Sequence, residues 1–222
     1  MRIILDGKEV CAQAGDTILD VAVRAGVDIP SLCHFPGHVP PSTSCLVCIV
    51  KLGNRFVPSC AVYVEEGMRV ESETDEVHSL RRSALELLLS DHISHCRTCG
   101  DGRKKCKILK LIAKYKVNRH RFGNRYTEES SLTGGETVGE PFSTYLADKI
   151  VFDARKCIKC GICIQITKQK GEEFGLTFFG RGFDTSIGIP FDSSFQQAVQ
   201  YSTAEIVSAC PTAAITWKEL SQ

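Results

Sequence analysis

The sequence predicts an α+β chain built from three small units, and three observations carry that expectation. The first 75 residues alternate short β-type runs with tight turns around one amphipathic helix. Eleven of the twelve cysteines fall into three separate groups, and a stretch rich in Ser, Thr, Gly and Glu, from Thr127 to Thr144, sets the last group apart. The expected units are residues 1–76, 77–126 and 145–222, with 127–144 as linker. A chain of 222 residues, 43% hydrophobic and 24% charged, has ordinary globular composition and can bury a sizeable core.

RIIL, the Asp6-Gly7 pair and KEVCA read as a β-hairpin, since Asp-Gly suits a two-residue turn. A helix follows. Asp16 or Thr17 can cap it, Ile18, Val21, Ala22 and Ala25 line its apolar face, and Gly26 ends it. The segment IPSLCHFPGHVPPSTSCLVC holds too many prolines for regular structure, so something else must hold that loop, and a metal centre would do so. CIVKLG, RFVPSCAVYV and MRVES then read as short strands. From Val77 to Leu89 the residues Val77, Leu80, Ala84, Leu87 and Leu88 recur at helical spacing and lead into SDHISHCRTCGDGRKKC. The next helix, KILKLIAKYKV, places Ile108, Leu111, Ile112 and Tyr115 on a core face and Lys107, Lys110 and Lys114 on another. After the linker, DKIVFDARKC opens with a strand and TAAITW closes with one.

The N-terminus lacks a charged-then-apolar leader, and no run of eighteen apolar residues occurs, so a cytoplasmic protein without a membrane span is expected. In that compartment grouped cysteines read as metal ligands rather than disulfides. The net charge of +1 hides a strong asymmetry: Cys96 to Arg125 carries eleven Lys or Arg against Asp101 alone, whereas Val64 to Ile93 has eight acids against three arginines. Such runs form solvated faces, or else a docking surface or the electrostatic tuning of a nearby centre. Nucleic acid is not an expected partner, because the aromatic interleaving and base-reading motifs of such modules are missing. No dinucleotide fingerprint, no nucleophile beside a base and no paired carboxylates stand out, so neither substrate chemistry nor a flavin or NAD(P) site is expected on this chain.

The first cysteine group is Cys33, Cys45, Cys48 and Cys60, spaced C-x11-C-x2-C-x11-C. C-x2-C lets one turn present two sulfurs to a metal. Taken alone it also serves tetrahedral zinc. With the short strands and PSLCHFPG around it, the segment resembles plant-type ferredoxins, which implies a β-grasp fold and a 2Fe-2S cluster held by these four cysteines. The first gap departs from the plant-type C-x4-C and moves toward the ferredoxin domains of larger oxidoreductases. His34 and His38 read as loop residues. A Rieske centre would need two histidine ligands, and four cysteines leave no vacancy.

The second group, His92, Cys96, Cys99 and Cys106, has the pattern H-x3-C-x2-C-x6-C. It resembles the 4Fe-4S site with one histidine and three cysteines in the large iron-sulfur subunit of complex I and related hydrogenase subunits. There the last gap usually holds five residues rather than six, and His95 competes with His92. A neutral imidazole in place of a thiolate, together with the basic surroundings, is expected to raise this cluster's potential.

The third group, Cys157, Cys160 and Cys163 with a distant Cys210-Pro211, resembles bacterial-type ferredoxin domains. Two-cluster members repeat C-x2-C-x2-C-x3-C-P, with each fourth cysteine serving the other cluster. Here the positions of the other cluster's ligands hold Thr167, Gln200, Thr203 and Ile206, so one 4Fe-4S cluster is expected on the four cysteines that remain. Gly180, Arg181 and Gly182 are expected to shape the connector LTFFGRGFDTSIGIPF rather than bind phosphate. Only Cys11 is left over.

The order of the three groups resembles the N-terminal iron-sulfur region of the complex I large subunit and the small diaphorase subunit of NAD-reducing hydrogenases, formate dehydrogenases and bifurcating complexes. The resemblance implies an electron-transfer subunit with one 2Fe-2S and two 4Fe-4S clusters in a hetero-oligomeric complex. Its partners would be a flavin- and NAD(P)-binding diaphorase subunit and a second redox subunit. A free-standing ferredoxin, or a redox sensor with structural clusters, is the other reading.

Overall fold

β1 (Arg2–Leu5) and β2 (Lys8–Cys11) form the expected hairpin. Its turn has positive φ at both Asp6 (49°) and Gly7 (77°), as a two-residue turn of this hand requires. These and the following elements come from a computed structural model that describes residues 1–37, 41–92, 106–124, 145–146, 149–191 and 194–218. Helix α1 (Ile18–Arg24) starts on a capping box: Thr17 Oγ1 accepts from the Asp20 N–H at 3.2 Å, and the Asp20 carboxylate accepts from the Thr17 N–H at 2.9 Å. Thr17 is therefore the cap, while Asp16 pairs with Arg24. Ala25, expected on the apolar face, is instead the exposed C-cap residue, and Leu19 is buried.

β3 (Ile49–Leu52), β4 (Arg55–Pro58) and β5 (Arg69–Glu71) complete a five-stranded sheet in the order β2-β1-β5-β3-β4. β1 and β5 run parallel and all other neighbours antiparallel. With α1 against it, this is the β-grasp arrangement, and its core contains Ile3, Leu5, Ile18, Val21, Val50 and Val70.

α2 (Asp75–Ser90) is capped by Thr74, whose Oγ1 accepts from the Val77 N–H. Its buried face is Val77, Arg81, Leu85, Glu86 and Leu89, rotated from the one that the apolar residues alone predict. Leu87 is 55% exposed, and Leu80, Ala84 and Leu88 are half-buried. The cause lies in two charged residues with partners inside the protein. Arg81 donates through Nε to Ile49 O and through a terminal nitrogen to Tyr115 Oη, both at 3.1 Å. Glu86 accepts from the Asn118 N–H at 3.2 Å and from Arg121 at 2.7 Å. α3 (Lys107–Lys114) follows the expected pattern: Ile108, Ile112 and Tyr115 are buried, Leu111 is half-buried, and Lys107, Lys110 and Lys114 are exposed. The expectations for Cys96, Cys99, His95, His38 and the 127–144 linker fall outside the described residues.

In the C-terminal part, β6 (Tyr145–Leu146), β7 (Ile150–Phe152) and β10 (Ile215–Trp217) form an antiparallel sheet in the order β10-β7-β6. Between them lie α4 (Ile162–Gln169), the hairpin β8 (Thr177–Phe179) and β9 (Ser186–Gly188), α5 (Phe195–Ala198) and α6 (Thr203–Ala209). Gly180 turns the hairpin: its φ is +69°, and an added Cβ would lie 2.5 Å from Asp184 O. A second core joins the cysteine loop of the N-terminal part to α2, α3 and the C-terminal sheet, through Val47, Leu85, Ile108, Phe152, Ile166 and Ile206. Among the described residues, no helix is long and apolar enough to cross a membrane.

Candidate functional site

Cys48 immediately precedes β3 and Cys60 follows β4, so one antiparallel pair fixes two of the four N-terminal sulfurs. Cys33 and Cys45 stand in the irregular, proline-rich loop. All four are free thiols and at most 3% exposed. Each thiol acts on the next in the order Cys45, Cys33, Cys60, Cys48. The Cys45 thiol, then that of Cys60, pulls the Cys33 pKa well down, and the Cys60 thiol pulls Cys48 down to about 6. The donor thiols of Cys45 and Cys60 are pushed up in turn. Backbone N–H groups favour the thiolates too: Cys45 toward Cys33, Val47 toward Cys45, and Cys60 toward Cys48. Buried sulfurs surrounded by donors and free of disulfides fit a thiolate-bound cluster. Among the described residues, no group of three or more His, Cys, Asp or Glu is arranged to hold a single metal ion.

The C-terminal set converges from three places. Cys157 and Cys160 lie in the turn before α4, Cys163 sits in its first turn, and Cys210 caps the end of α6. All four line one narrow cavity whose other walls are Phe152, Ile187, Ile206 and Ile215. Lys159 N–H donates to Cys157 Sγ at 3.3 Å, and the Ile162 and Ile164 amides favour the Cys160 and Cys163 thiolates. Burial nevertheless pushes Cys157 up to about 12 and raises Cys160 and Cys163 as well. Thiols there ionise only beside a compensating cation, which iron would supply.

At two of the four positions of the missing ligand set the side chains are hydrogen-bonded locally, and a third is apolar. Thr167 Oγ1 donates to Ile164 O at 2.9 Å and accepts from Leu176 N–H at 3.2 Å, Thr203 Oγ1 donates to Val199 O, and Ile206 is buried. Glu172 Oε1 accepts from the Tyr201 and Ser202 N–H groups, each at 2.7 Å, and from the Ser202 hydroxyl at 2.6 Å. Glu172→Ala would leave these donors unpaired at the start of α6. Urea unfolding is expected to register a loss of about 1–3 kcal/mol.

His92 follows α2 and is 4% exposed. Burial holds its imidazole below the usual pKa, so it is neutral. Nδ1 lies 3.2 Å from Arg155 O, and only an N–H can make that bond, which leaves Nε2 with the lone pair. Asn124 Nδ2 donates to Leu89 O at 2.7 Å and to His92 O at 2.8 Å, tying down the end of α2. Cys106, buried, is the N-cap residue of α3, and the next N–H, from Lys107, donates to Pro211 O at 2.7 Å. His92 and Cys106 thus each sit one hydrogen bond from the segments that carry Cys157 and Cys210.

The N-terminal set meets the same segments. Ser44 Oγ donates to Cys160 O at 3.4 Å. An open cleft of about 260 Å³ has Cys45 and Leu46 on one wall, Cys157 and Ile158 on another, and Leu87 of α2 with its C-cap Asp91 between them. Lys159 pairs with Asp91 at its edge. The sequence gives no sign of Arg155 O, Asn124, Ser42, Ser44 or Gln165, because short polar loop residues acquire a role only from residues far along the chain.

Residues 1–75 match a family described as a 2Fe-2S iron-sulfur cluster binding domain, and residues 81–121 match the NADH-ubiquinone oxidoreductase-G iron-sulfur binding region. The NADP-reducing hydrogenase subunit HndD of Solidesulfovibrio fructosivorans is 32% identical over 99% of this chain and 36% of its own length. The NAD-reducing hydrogenase HoxS subunit gamma of Cupriavidus necator is 27% identical over 99% of this chain and 88% of its own. The chain spans about a third or less of the first curated relatives it matches. A chain in the crystal structure of an NAD+-reducing [NiFe]-hydrogenase in the H2-reduced state shares the fold, with a TM-score of 0.80, 24% identity and coverage of 99% of this chain and 88% of that one.

Proposed function

We propose, for a chain related to the G subunit of complex I and to iron-sulfur subunits of NAD(P)-linked hydrogenases, that it relays single electrons through one 2Fe-2S and two 4Fe-4S clusters. Cys33, Cys45, Cys48 and Cys60 would hold the first, His92, Cys96, Cys99 and Cys106 the second, and Cys157, Cys160, Cys163 and Cys210 the third. When bound, the clusters supply one-electron chemistry, at about −400 mV for a plant-type 2Fe-2S centre, a range suited to exchange with flavins and NAD(P)H. A diaphorase subunit with flavin and NAD(P), and a second redox subunit, are the partners this role requires. We divide the chain into a 2Fe-2S unit (1–76), a histidine-bearing helical unit (77–126), a linker (127–144) and a bacterial-ferredoxin-like unit (145–222).

The observation that carries the reading is the pair of buried all-cysteine sets, with backbone amides aimed at their sulfurs, meeting at one cleft. The spatial order then differs from the sequence order. Both the N-terminal set, through Ser44, and the middle set, through His92 and Lys107, contact the segments of the C-terminal set. The C-terminal set is therefore the middle station of the relay.

Anaerobic protein mixed with its flavin partner and NAD(P)H should show reduction of every cluster. Clusters that dithionite reduces but NAD(P)H and the partner do not would favour a sensing or structural role. His92→Ala is expected to alter the EPR signal of the histidine-bearing cluster alone. An unchanged signal would transfer that ligand role to His95.

A further inference from the structure

The gap between Cys33 and Cys45 holds eleven residues, against the four of the plant-type pattern. The described part of the added length ends in a polar tip, Ser42-Thr43-Ser44, that presses on the C-terminal set. Gln165, on α4 and 5% exposed, donates through Nε2 to Ser42 Oγ. Ser44 Oγ donates to Cys160 O at 3.4 Å. Gly161 leaves room for the approach: a Cβ there would lie 3.3 Å from Ser42 Oγ and 3.4 Å from the Phe178 ring. Thr43, between the two serines, has φ +49°. That is an outlier for a β-branched residue, and it persists only where the surroundings over-determine it. On the other side, Lys159 and Gly161 flank Cys160 with φ of 55° and 76°. A loop that served only to wrap its own four sulfurs would need neither the strained residue nor the two contacts with α4 and its approach.

We infer that the lengthened loop is a spacer between the N-terminal and C-terminal cysteine sets, with Ser42, Ser44 and Gln165 as positioning residues that fix the distance and orientation between them. The inference rests on the ligand reading above. It assigns these residues no part in holding a cluster. Their effect is on how strongly the two centres sense one another, which a purely local structural role would leave untouched.

The test is EPR of the full chain, purified anaerobically and reduced with dithionite, comparing wild type with the Ser42→Ala/Ser44→Ala double variant and with Ser44→Thr. In wild type the 2Fe-2S signal should show splitting and fast relaxation from the neighbouring reduced 4Fe-4S centre. The double variant should keep both signals and its iron but show a changed splitting and a changed relaxation rate of the 2Fe-2S signal. Ser44→Thr, which keeps a hydroxyl, should retain the interaction. Identical splitting in wild type and double variant, with iron unchanged, would overturn the inference while leaving the ligand reading intact. Lack of clusters in wild type would instead overturn that reading. If the double variant loses iron, Ser42→Ala alone, which removes only the bond from Gln165, is scored by the same criteria.

Discussion

Replacement of Cys33 or Cys45 by alanine is expected to abolish the 2Fe-2S EPR signal and to leave both 4Fe-4S signals in place. Each sulfur is one of only four in its set, and no spare thiol stands by: Cys11, the cysteine outside the three groups, lies exposed at the end of β2. His34 is the nearest nitrogen ligand in sequence, and its Nδ1 is buried without a hydrogen-bond partner, so a weak substitution by imidazole is the one rescue to look for. Such a rescue would show as a shifted 2Fe-2S signal at higher potential, since a neutral ligand replaces a thiolate. The C-terminal sulfurs depend on α4, α6 and the turn between β7 and α4, none of which contains Cys33 or Cys45. Iron analysis should fall by about two per chain. A loss of 4Fe-4S signal in step with the 2Fe-2S signal would show that the two sets do not assemble independently.

The second large effect is on stability. Arg81 is fully buried, and it joins α2 to the strand after Cys48 through Ile49 O and to α3 through Tyr115 Oη. Its contact with Glu73 is longer, at 3.5 Å, and Glu73 is half exposed, so that ion pair is the minor part. Arg81→Ala would open a cavity and leave a half-buried carbonyl and a buried hydroxyl unpaired. A cost of about 3 kcal/mol is expected, or a fall in Tm of roughly 6–12 °C for a chain of this length. Because Ile49 follows Cys48 directly, iron should also leave the first set faster in the presence of a chelator. Arg81→Lys should rescue only part of the stability, since a lysine cannot make both bonds from one planar fork. Thermal melts followed at the cluster absorbance and in the far-UV would separate cluster loss from unfolding.

The cysteine groups were legible because ligand spacing is a local property of sequence, and the N-terminal hairpin and α1 because turn and cap chemistry are local too. The buried face of α2 was not. Apolar periodicity treats Arg81 and Glu86 as solvent residues, whereas the fold supplies Ile49, Tyr115, Asn118 and Arg121 as their partners. Ala25 failed for a related reason: with Gly26 at φ +71°, the helix has ended before that position can face the core. The contacts among the three sets, through Ser44, His92 and Lys107, join residues 60 or more positions apart. No pattern within a single window could have shown them, nor the order in which the sets lie.

Iron and acid-labile sulfide in anaerobically purified protein, with EPR of the dithionite-reduced sample at several temperatures, test the central claim most directly. The three-cluster account predicts about ten irons per chain, with one 2Fe-2S and two 4Fe-4S signals. About six irons would contradict it by removing the histidine-bearing cluster, and zinc in place of iron would contradict the electron-transfer reading altogether.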